Sequence, residues 1–202
     1  MVAPILLDLP DAFESERLLI RAPRPGDGTA IDEAVRETLG PLRQWMDWAL
    51  PEPSVELSEA FARRSAADYI ARTGFPMLLW LKDDTSLVGS SGFYVRDWLV
   101  PSFEIGYWCR ARFEGQGYMT EAVRAISHFA FAELGARRLE IRCDARNERS
   151  ARVARRTGYQ LEGRFRNHRI DTSGHLQDSL IFALVSDDQV VEATPCTVRN
   201  GS

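Results

Sequence analysis

The sequence predicts a mixed α/β domain in which helices flank one sheet. Three observations lead to this prediction. Apolar residues recur every three or four positions through the first third of the chain, which is typical of amphipathic helices. From residue 75 onward the pattern changes to short apolar runs separated by turn residues, which indicate β-hairpins. A second helical stripe then leads into a strand, a short helix and a last hairpin, so both kinds of element share one core.

One strand and two helices are expected in the first third of the chain. Residues 17–21 (RLLIR) read as a short strand, which two prolines and a glycine end. A helical period begins near Ile31, and we expect Gly40-Pro41 to end that helix. Ser54 then stands where a side chain caps the start of a second helix.

The rest of the chain predicts a meander of strands followed by two helices and a hairpin. Gly106, in the middle of one strand, indicates a bulge or a place where a ligand lies against the backbone. Gly135 is placed to end the longer helix. The elements are expected at residues 76–82, 87–96 and 102–109 (strands, with a turn at 83–85), 122–134 (helix), 138–143 (strand), 147–157 (helix), and 164–170 with 176–185 (hairpin).

Length and composition are those of one soluble globular domain. The chain has 202 residues, of which 45% are hydrophobic and 27% charged. We expect the domain to span residues 1–189 and residues 190–202 to form a flexible tail, because the tail has no periodicity. No apolar run approaches the roughly 20 residues needed to cross a bilayer, and the start lacks a secretion signal. A cytoplasmic location without a membrane partner is therefore predicted.

Cysteines, histidines and net charge argue against several other classes of protein. The cysteines are odd in number, far apart and without a C-x-x-C pair, so neither a disulfide framework nor a structural zinc site is expected. The three histidines also lack metal-ligand spacing, and no metal is predicted. A net charge of −4 argues against direct nucleic-acid binding. Residues 136–169 nevertheless hold eleven arginines, which form either an anion-binding face or a solvated surface.

The most informative segment joins a strand to the longer helix and reads RFEGQGYMTE over residues 112–121. Gly115 and Gly117 allow successive backbone N–H groups to turn toward one point at the positive end of the helix dipole. Such a turn can cradle a pyrophosphate, although many strand-to-helix turns use glycine for steric reasons alone. A third glycine is missing and the turn follows a meander, so a Rossmann dinucleotide site is not expected.

The pattern Arg112-x-x-Gly115-x-Gly117 resembles the acyl-coenzyme A-binding signature of the GCN5-related N-acetyltransferase (GNAT) superfamily. The branch that the chain resembles is the ribosomal-protein alanine/serine N-acetyltransferases, over about residues 14–186. Further motifs of this resemblance are residues 104–108 (EIGYW), 115–122 (GQGYMTEA), 147–153 (NERSARV), 157–159 (TGY) and 161–163 (LEG).

This resemblance implies acetyl-coenzyme A (acetyl-CoA) as cosubstrate and a primary amine as acceptor. It also implies a largely antiparallel sheet that splays open between two parallel strands, with the thioester between them. The turn would bind the pyrophosphate and the preceding strand would pair with the pantetheine arm. The residues that the resemblance assigns to acetyl-CoA are Ile105, Gly106, Tyr107, Trp108, Arg112, Glu114, Gly115, Gln116, Gly117, Tyr118, Met119, Thr120 and Asn147. For Asn147, a cap at the start of the short helix is the alternative.

Two catalytic residues are expected. Ser150 matches the hydroxyl that this branch is thought to use to protonate the departing thiolate, although an exposed helix serine is the simpler alternative. Ala154 stands where many members of the superfamily carry a tyrosine acid, which supports the serine mechanism. Glu104 is the first candidate for a base that deprotonates the amine, directly or through a water, and a plain salt bridge is its alternative.

The acceptor is less well defined by the sequence. Trp45 and Trp48 lie in a segment that resembles the acceptor-side helix region of this branch, where they would line the substrate groove; core packing is the alternative. The N-terminal α-amino group of a protein is the leading acceptor. A small amine, or a module that binds acyl-CoA without turnover, remains an alternative, and a homodimer is compatible with the resemblance.

Overall fold

The computed structural model describes residues 3–82, 86–186 and 197–198. The helices are α1 (Gly28–Trp45), α2 (Val55–Ala71), α3 (Tyr118–Glu133) and α4 (Glu148–Arg156). The strands are β1 (Ala12–Glu14), β2 (Leu18–Arg21), β3 (Gly74–Leu81), β4 (Leu87–Asp97), β5 (Ser102–Cys109), β6 (Arg138–Asp144), β7 (Gln160–Ile170), β8 (Leu176–Val185) and β9 (Thr197–Val198). They form one sheet in the order β7-β8-β6-β5-β4-β3-β2-β1-β9. The mixed α/β prediction is confirmed.

Helices cover both faces of the sheet, and each face has its own core. The larger core lies between the sheet and the pair α3 and α4, and includes Phe103, Ile105, Val123, Phe129 and Ala151. The smaller core lies between the sheet and the pair α1 and α2, and includes Ile31, Val35, Leu42, Ala62 and Leu78. None of the described helices is both long enough and apolar enough to cross a membrane.

The first helix does not end at Gly40-Pro41, as the sequence predicted, but continues to Trp45. Proline inside a helix removes one hydrogen bond and disfavours the preceding turn. Leu42, one residue later, is only 4% exposed and packs in the smaller core. That burial offsets the cost of Pro41, so the local stop signal does not end the helix. The cap of α2 is as predicted, because the Ser54 side chain accepts a hydrogen bond from the Leu57 amide.

Strands β5 and β6 are the parallel pair, and they separate along their length. Their pairing covers three positions and ends at Glu104 opposite Glu140. Beyond this point β5 follows β4 as far as Cys109, whereas β6 follows β8 as far as Asp144. A split therefore opens between the C-terminal halves of the two strands, and the predicted splayed sheet is confirmed.

Two predictions fall wholly or partly outside the described residues. The turn at 83–85 lies outside them. So does most of the predicted tail, residues 190–202, within which Thr197–Val198 pairs antiparallel with β1. The sequence did not indicate β1 itself.

Candidate active site

The glycine turn before α3 has the conformation that an anion cradle needs. Gly115 and Gly117 have φ values of +76° and +85°, in the left-handed region where side chains are disfavoured. Gly117 is the N-terminal cap of α3, and all three residues from Gly115 to Gly117 are exposed. The first amides of a helix have no intrahelical acceptor, and they point outward at the positive end of the dipole. The turn thus presents N–H donors to solvent, as required for a pyrophosphate.

Arg17, which the sequence analysis did not single out, holds this turn from the β2 side. Its Nε lies 2.7 Å from Glu121 Oε2, and its Nη1 donates to the Gln116 carbonyl at 3.1 Å. The guanidinium also lies 4.1 Å from the centroid of the Tyr118 ring. One side chain therefore ties together the turn, the first residue of α3 and the carboxylate one turn into the helix.

Arg112, the first residue of the signature, faces the helix α1. Its Nε lies 2.9 Å from Glu37 Oε2, and Arg110 Nε lies 2.8 Å from the same oxygen. These guanidiniums, Arg112 first, lower the pKa of the Glu37 carboxyl to about 2. The Arg112 side chain thus anchors α1 beneath the turn, and the sequence alone gave no signal for its partner.

The other residues of the turn divide between solvent and core. Gln116 Nε2 donates to the Arg112 carbonyl at 2.7 Å, which closes the turn on itself. Glu114 forms an ion pair with Arg149 on α4. Met119 is only 8% exposed and packs in the larger core, so its contribution to a ligand is restricted to its backbone. Thr120 lies in the first turn of α3 and is half-buried.

One edge of β5 is left without a strand partner by the split. Residues 105–108 pair with β4, but their β6 side has no ladder partner within the described residues. The register is regular at Gly106, so the predicted bulge is absent there. A Cβ at Gly106 would lie 3.2 Å from the Tyr94 ring, so any side chain at this position would require that ring to shift. The free edge is suited to pair with an extended amide chain such as pantetheine.

Ser150 lies where α4 meets β5 and β6 beside the split. Its backbone N–H donates to Asn147 Oδ1 at 3.0 Å, so Asn147 is the N-terminal cap of α4, the alternative that the sequence left open for it. The Ser150 Oγ lies 3.0 Å from the Tyr107 hydroxyl. Ser150 also lies near Cys143, the penultimate residue of β6: burial raises the pKa of that thiol, and Ser150 partly opposes the rise. The hydroxyl therefore lies between groups of the two strands that part at the split.

The two thiols at the split, Cys109 and Cys143, are half-buried and free. Burial raises the pKa of Cys109 to about 12 and that of Cys143 to about 11. Both thiols are therefore neutral at physiological pH and poor nucleophiles. This supports direct transfer between substrates over a cysteine-bound acyl group.

Glu104 lies on the opposite face of the sheet from Ser150. Alternate residues of a strand point to opposite faces, and Phe103 and Ile105 are buried toward α3. Glu104 therefore faces the α1 side, at the last residue before the split. It forms an ion pair with Arg96, and its Oε2 lies 3.4 Å from Arg142 Nε. The salt bridge that the sequence analysis gave as the alternative to a catalytic base at Glu104 is therefore present.

The two tryptophans expected at the acceptor groove differ from each other in position and exposure. Trp45 is the last residue of α1 and is half-buried. Trp48 lies in the following short 3₁₀ turn, is 51% exposed, and has its ring 6.2 Å from that of Trp108 on β5. Trp48 therefore stands on the same face of the sheet as Glu104, because Trp108 also packs on the α1 side.

Two further observations concern other kinds of site. Among residues 3–82 and 86–186, no three His, Cys, Asp or Glu side chains gather as a metal site would require. A surface depression lined by Phe131, Gly135, Ala136, Arg137 and Ser186 lies at the C-terminal end of α3, away from the glycine turn. It takes no part in the site described above.

Comparison with known proteins agrees with this geometry. Residues 17–160 match the family model of the acetyltransferase (GNAT) domain. YdaF of Bacillus subtilis, whose name assigns it provisionally to the ribosomal N-acetyltransferases, is 30% identical over 76% of this chain and 83% of its own. The ribosomal-protein-serine acetyltransferase of Escherichia coli is 30% identical over 60% of this chain and 69% of its own.

Solved structures share the fold. RimL, a ribosomal L7/L12 α-N-protein acetyltransferase in complex with coenzyme A, superposes with a TM-score of 0.80 at 24% identity, over 87% of this chain and 97% of its own. The ribosomal-protein-S5-alanine acetyltransferase of Vibrio fischeri gives a TM-score of 0.77 at 20% identity, over 88% and 97%. Because the family model covers well over half of the sequence, the chain belongs to the GNAT acetyltransferase family and is an acetyl-CoA-dependent N-acetyltransferase.

Proposed function

We propose that the enzyme acetylates the N-terminal α-amino group of a protein, such as a ribosomal protein, or of a peptide. The amine attacks the thioester directly, in a ternary complex of enzyme, acetyl-CoA and acceptor. The observation that carries the proposal is the placement of Glu104 and Ser150 on opposite faces of the sheet, both beside the split. A thioester in the split would have a carboxylate on one side and a hydroxyl on the other. The neutral thiols leave a covalent acyl-cysteine route without support.

The chemistry assigns one task to each face. The amine approaches from the α1 side, where Glu104 accepts its proton directly or through a water. A backbone N–H on the free edge of β5 can donate to the thioester oxygen as negative charge develops there. As the carbon–sulfur bond breaks, the electron pair stays on sulfur and Ser150, on the α4 side, gives it a proton.

An α-amino acceptor suits this arrangement because it needs only a weak base. Its ordinary pKa of about 7.7 to 8.0 leaves a substantial neutral fraction at physiological pH, whereas a lysine side chain near 10.4 stays charged. The carboxylate of Glu104, which lies beside Arg96 and Arg142, is the group placed to serve as that base. The exposed rings of Trp48 and Tyr94 flank the acceptor face and offer an extended peptide apolar contact. The names of the curated relatives support the same acceptor class.

A panel of acceptors tests the proposal. The protein would be incubated with acetyl-CoA and peptides beginning with Ser or Ala, the same peptides with a blocked N-terminus and an internal lysine, and small amines including polyamines. Release of free thiol and mass spectrometry of the products would be followed. We expect free α-amino peptides to react at least about tenfold faster than their blocked partners, since the lysine amine is largely protonated. Faster reaction of small amines, or of the internal lysine, would contradict the proposed acceptor.

A further inference from the structure

Tyr107 contacts the proposed acid through two hydrogen bonds that the signature does not explain. It lies on β5 and points to the face covered by α3 and α4, where it packs against the larger core. Its hydroxyl lies 3.0 Å from Ser150 Oγ and 3.0 Å from the Ser150 carbonyl oxygen. The resemblance assigns only the backbone of this residue to the cosubstrate.

Counting protons restricts what this pair can do. A hydroxyl group has one hydrogen to donate and two lone pairs to accept with. When Tyr107 donates to the Ser150 carbonyl, the hydrogen bond between the two hydroxyls must use the serine proton. When Tyr107 turns its proton toward Ser150 Oγ, the serine proton is free to go elsewhere. Both O–H groups rotate between these states while the oxygens stay in place, because the two partners of the Tyr107 hydroxyl lie at the same distance, 3.0 Å.

We propose that Tyr107 is a positioning residue that acts through Ser150. Before reaction it holds the serine hydroxyl beside the split. As the thioester carbon–sulfur bond breaks and the serine proton moves to sulfur, Tyr107 turns its own proton to Ser150 Oγ and stabilises the negative charge that develops there. Ser150 is then reprotonated from solvent, into which the acceptor amine has released a proton. The inference depends on the role of Ser150 in the proposed function and not on the identity of the amine.

The phenol serves as a hydrogen-bond donor and not as the source of the proton. Burial raises the pKa of Tyr107 above its ordinary value, and the bond to Ser150 only partly opposes this. A proton lost from Tyr107 would leave a phenolate in a poorly solvated place. A neutral donor avoids that cost, while its hydrogen bond to a charged oxygen is stronger than one to a neutral oxygen.

The chain provides a matched control in a second tyrosine–serine pair. Tyr159 is 3% exposed, and its hydroxyl lies 2.7 Å from Ser127 Oγ on α3. Burial raises the pKa of Tyr159 as well. Ser127 Oγ also lies 2.7 Å from the Val123 carbonyl, so its own proton is bound within the helix, in the middle of α3. Tyr159→Phe therefore removes a buried tyrosine hydroxyl whose hydrogen bond is to Ser127 and not to Ser150.

The test is a double-mutant cycle with these controls. Tyr107→Phe, Ser150→Ala, the double variant and Tyr159→Phe would be compared with the parent by kcat, by KM for acetyl-CoA and by melting temperature. The assay would use whichever amine of the acceptor panel is turned over fastest. We expect Tyr107→Phe to lower kcat about tenfold or more, with KM for acetyl-CoA within about twofold, since the lost bond is made to a charged group. Tyr159→Phe should change kcat less than about twofold at a similar loss of stability.

The double variant distinguishes the possible failures. If Tyr107 acts through Ser150, adding Tyr107→Phe to Ser150→Ala should lower kcat by less than about twofold further. Equal losses in both backgrounds, or a Tyr107 variant no slower than Tyr159→Phe, would overturn the inference while leaving Ser150 as the acid. Full kcat in Ser150→Ala would overturn the acid role and the tyrosine role together. Turnover of a small amine alone would overturn only the proposed acceptor.

Discussion

The two sides of the split present different kinds of functional group. The proposed CoA side consists of the glycine turn, the N-terminus of α3, the free edge of β5 and the cap of α4. Its functional groups are chiefly backbone amides. Positive φ angles orient those of the turn, those at the start of α3 have no acceptor within the helix, and those on one edge of β5 have no partner strand in the described part of the chain. The proposed acceptor side consists of α1, α2 and the hairpin of β7 and β8. Its functional groups are side chains from distant elements, such as Glu104 with Arg96 and Arg142.

This difference agrees with what each side is proposed to bind. Pyrophosphate and pantetheine are the same for every member of the family, and backbone donors recognise them with little dependence on side chains. The acceptor differs between members, and side chains on exposed elements can change without disturbing the sheet. On this side a long hydrogen bond, 3.4 Å from Thr172 Oγ1 to the Gln44 carbonyl, joins the hairpin to α1.

The largest expected effect comes from filling the cradle. Gly117→Val places a branched side chain where the pyrophosphate should approach, at a φ of +85°. Gly135→Val is the matched control, since Gly135 follows the other end of α3 with a φ of +62° and no atom within 4 Å of an added Cβ. Calorimetry should show that acetyl-CoA binds more than about a hundredfold more weakly to the first variant only. Both variants place valine at a positive φ, but only residue 117 lies where the phosphates would approach. Equal affinities would show that the cradle lies elsewhere.

The same contrast explains what could be predicted from the sequence. The strand at 102–109 and the caps at Ser54 and Asn147 depend on residues close together in the chain, and the structure reproduces them. The end of α1 was wrong because burial of Leu42 outweighed a local stop signal. Contacts such as Arg17 with Glu121 join residues more than a hundred positions apart, and only the folded sheet brings them together. No period or spacing in one sequence encodes them.

On the acceptor side, Glu104→Gln should lower kcat by about ten- to a hundredfold near neutral pH, as expected for loss of a general base. The deficit should shrink as pH rises past the pKa of the acceptor amine, because the neutral amine then needs no base. Ser150→Ala should not recover in this way. A pH profile of kcat for parent and both variants tests this. A Glu104 deficit that stays constant with pH would indicate that its ion pairs with Arg96 and Arg142 serve structure alone.

A smaller effect is expected where a side chain supports the CoA side. Arg17→Met removes the bond to the Gln116 carbonyl and the pair with Glu121. The turn would lose its support, so KM for acetyl-CoA should rise about tenfold with kcat little changed, as for lost ground-state binding. Arg24→Met is the control, since its pair with Asp11 lies on an exposed surface. If both variants keep the parent KM, the turn holds its shape without Arg17.

The smallest effect concerns Glu37, which belongs to α1 but fastens it to the turn that begins the CoA side. Its pKa is lowered to about 2 in the folded protein, against about 4.3 for an unfolded chain. A lowered folded pKa adds stability that is complete above about pH 5 and is lost as pH falls toward 2. Glu37→Gln should therefore lower the free energy of unfolding by about 1 kcal/mol at pH 7, allowing for solvent screening of the partly exposed pair.

Urea unfolding of parent and variant between pH 7 and pH 3 measures this difference, which should narrow steadily below pH 5 as the carboxylate of the parent is protonated. Glu33→Gln, an exposed residue four positions earlier on α1, should show no such narrowing. A difference in the free energy of unfolding that is independent of pH would mean that Glu37 stabilises the protein through packing and not through its charge. A further outcome is that the difference in the free energy of unfolding narrows at low pH while KM for acetyl-CoA stays the same in the variant. In that case the ion pairs of Glu37 stabilise the contact between α1 and the turn without affecting how acetyl-CoA binds.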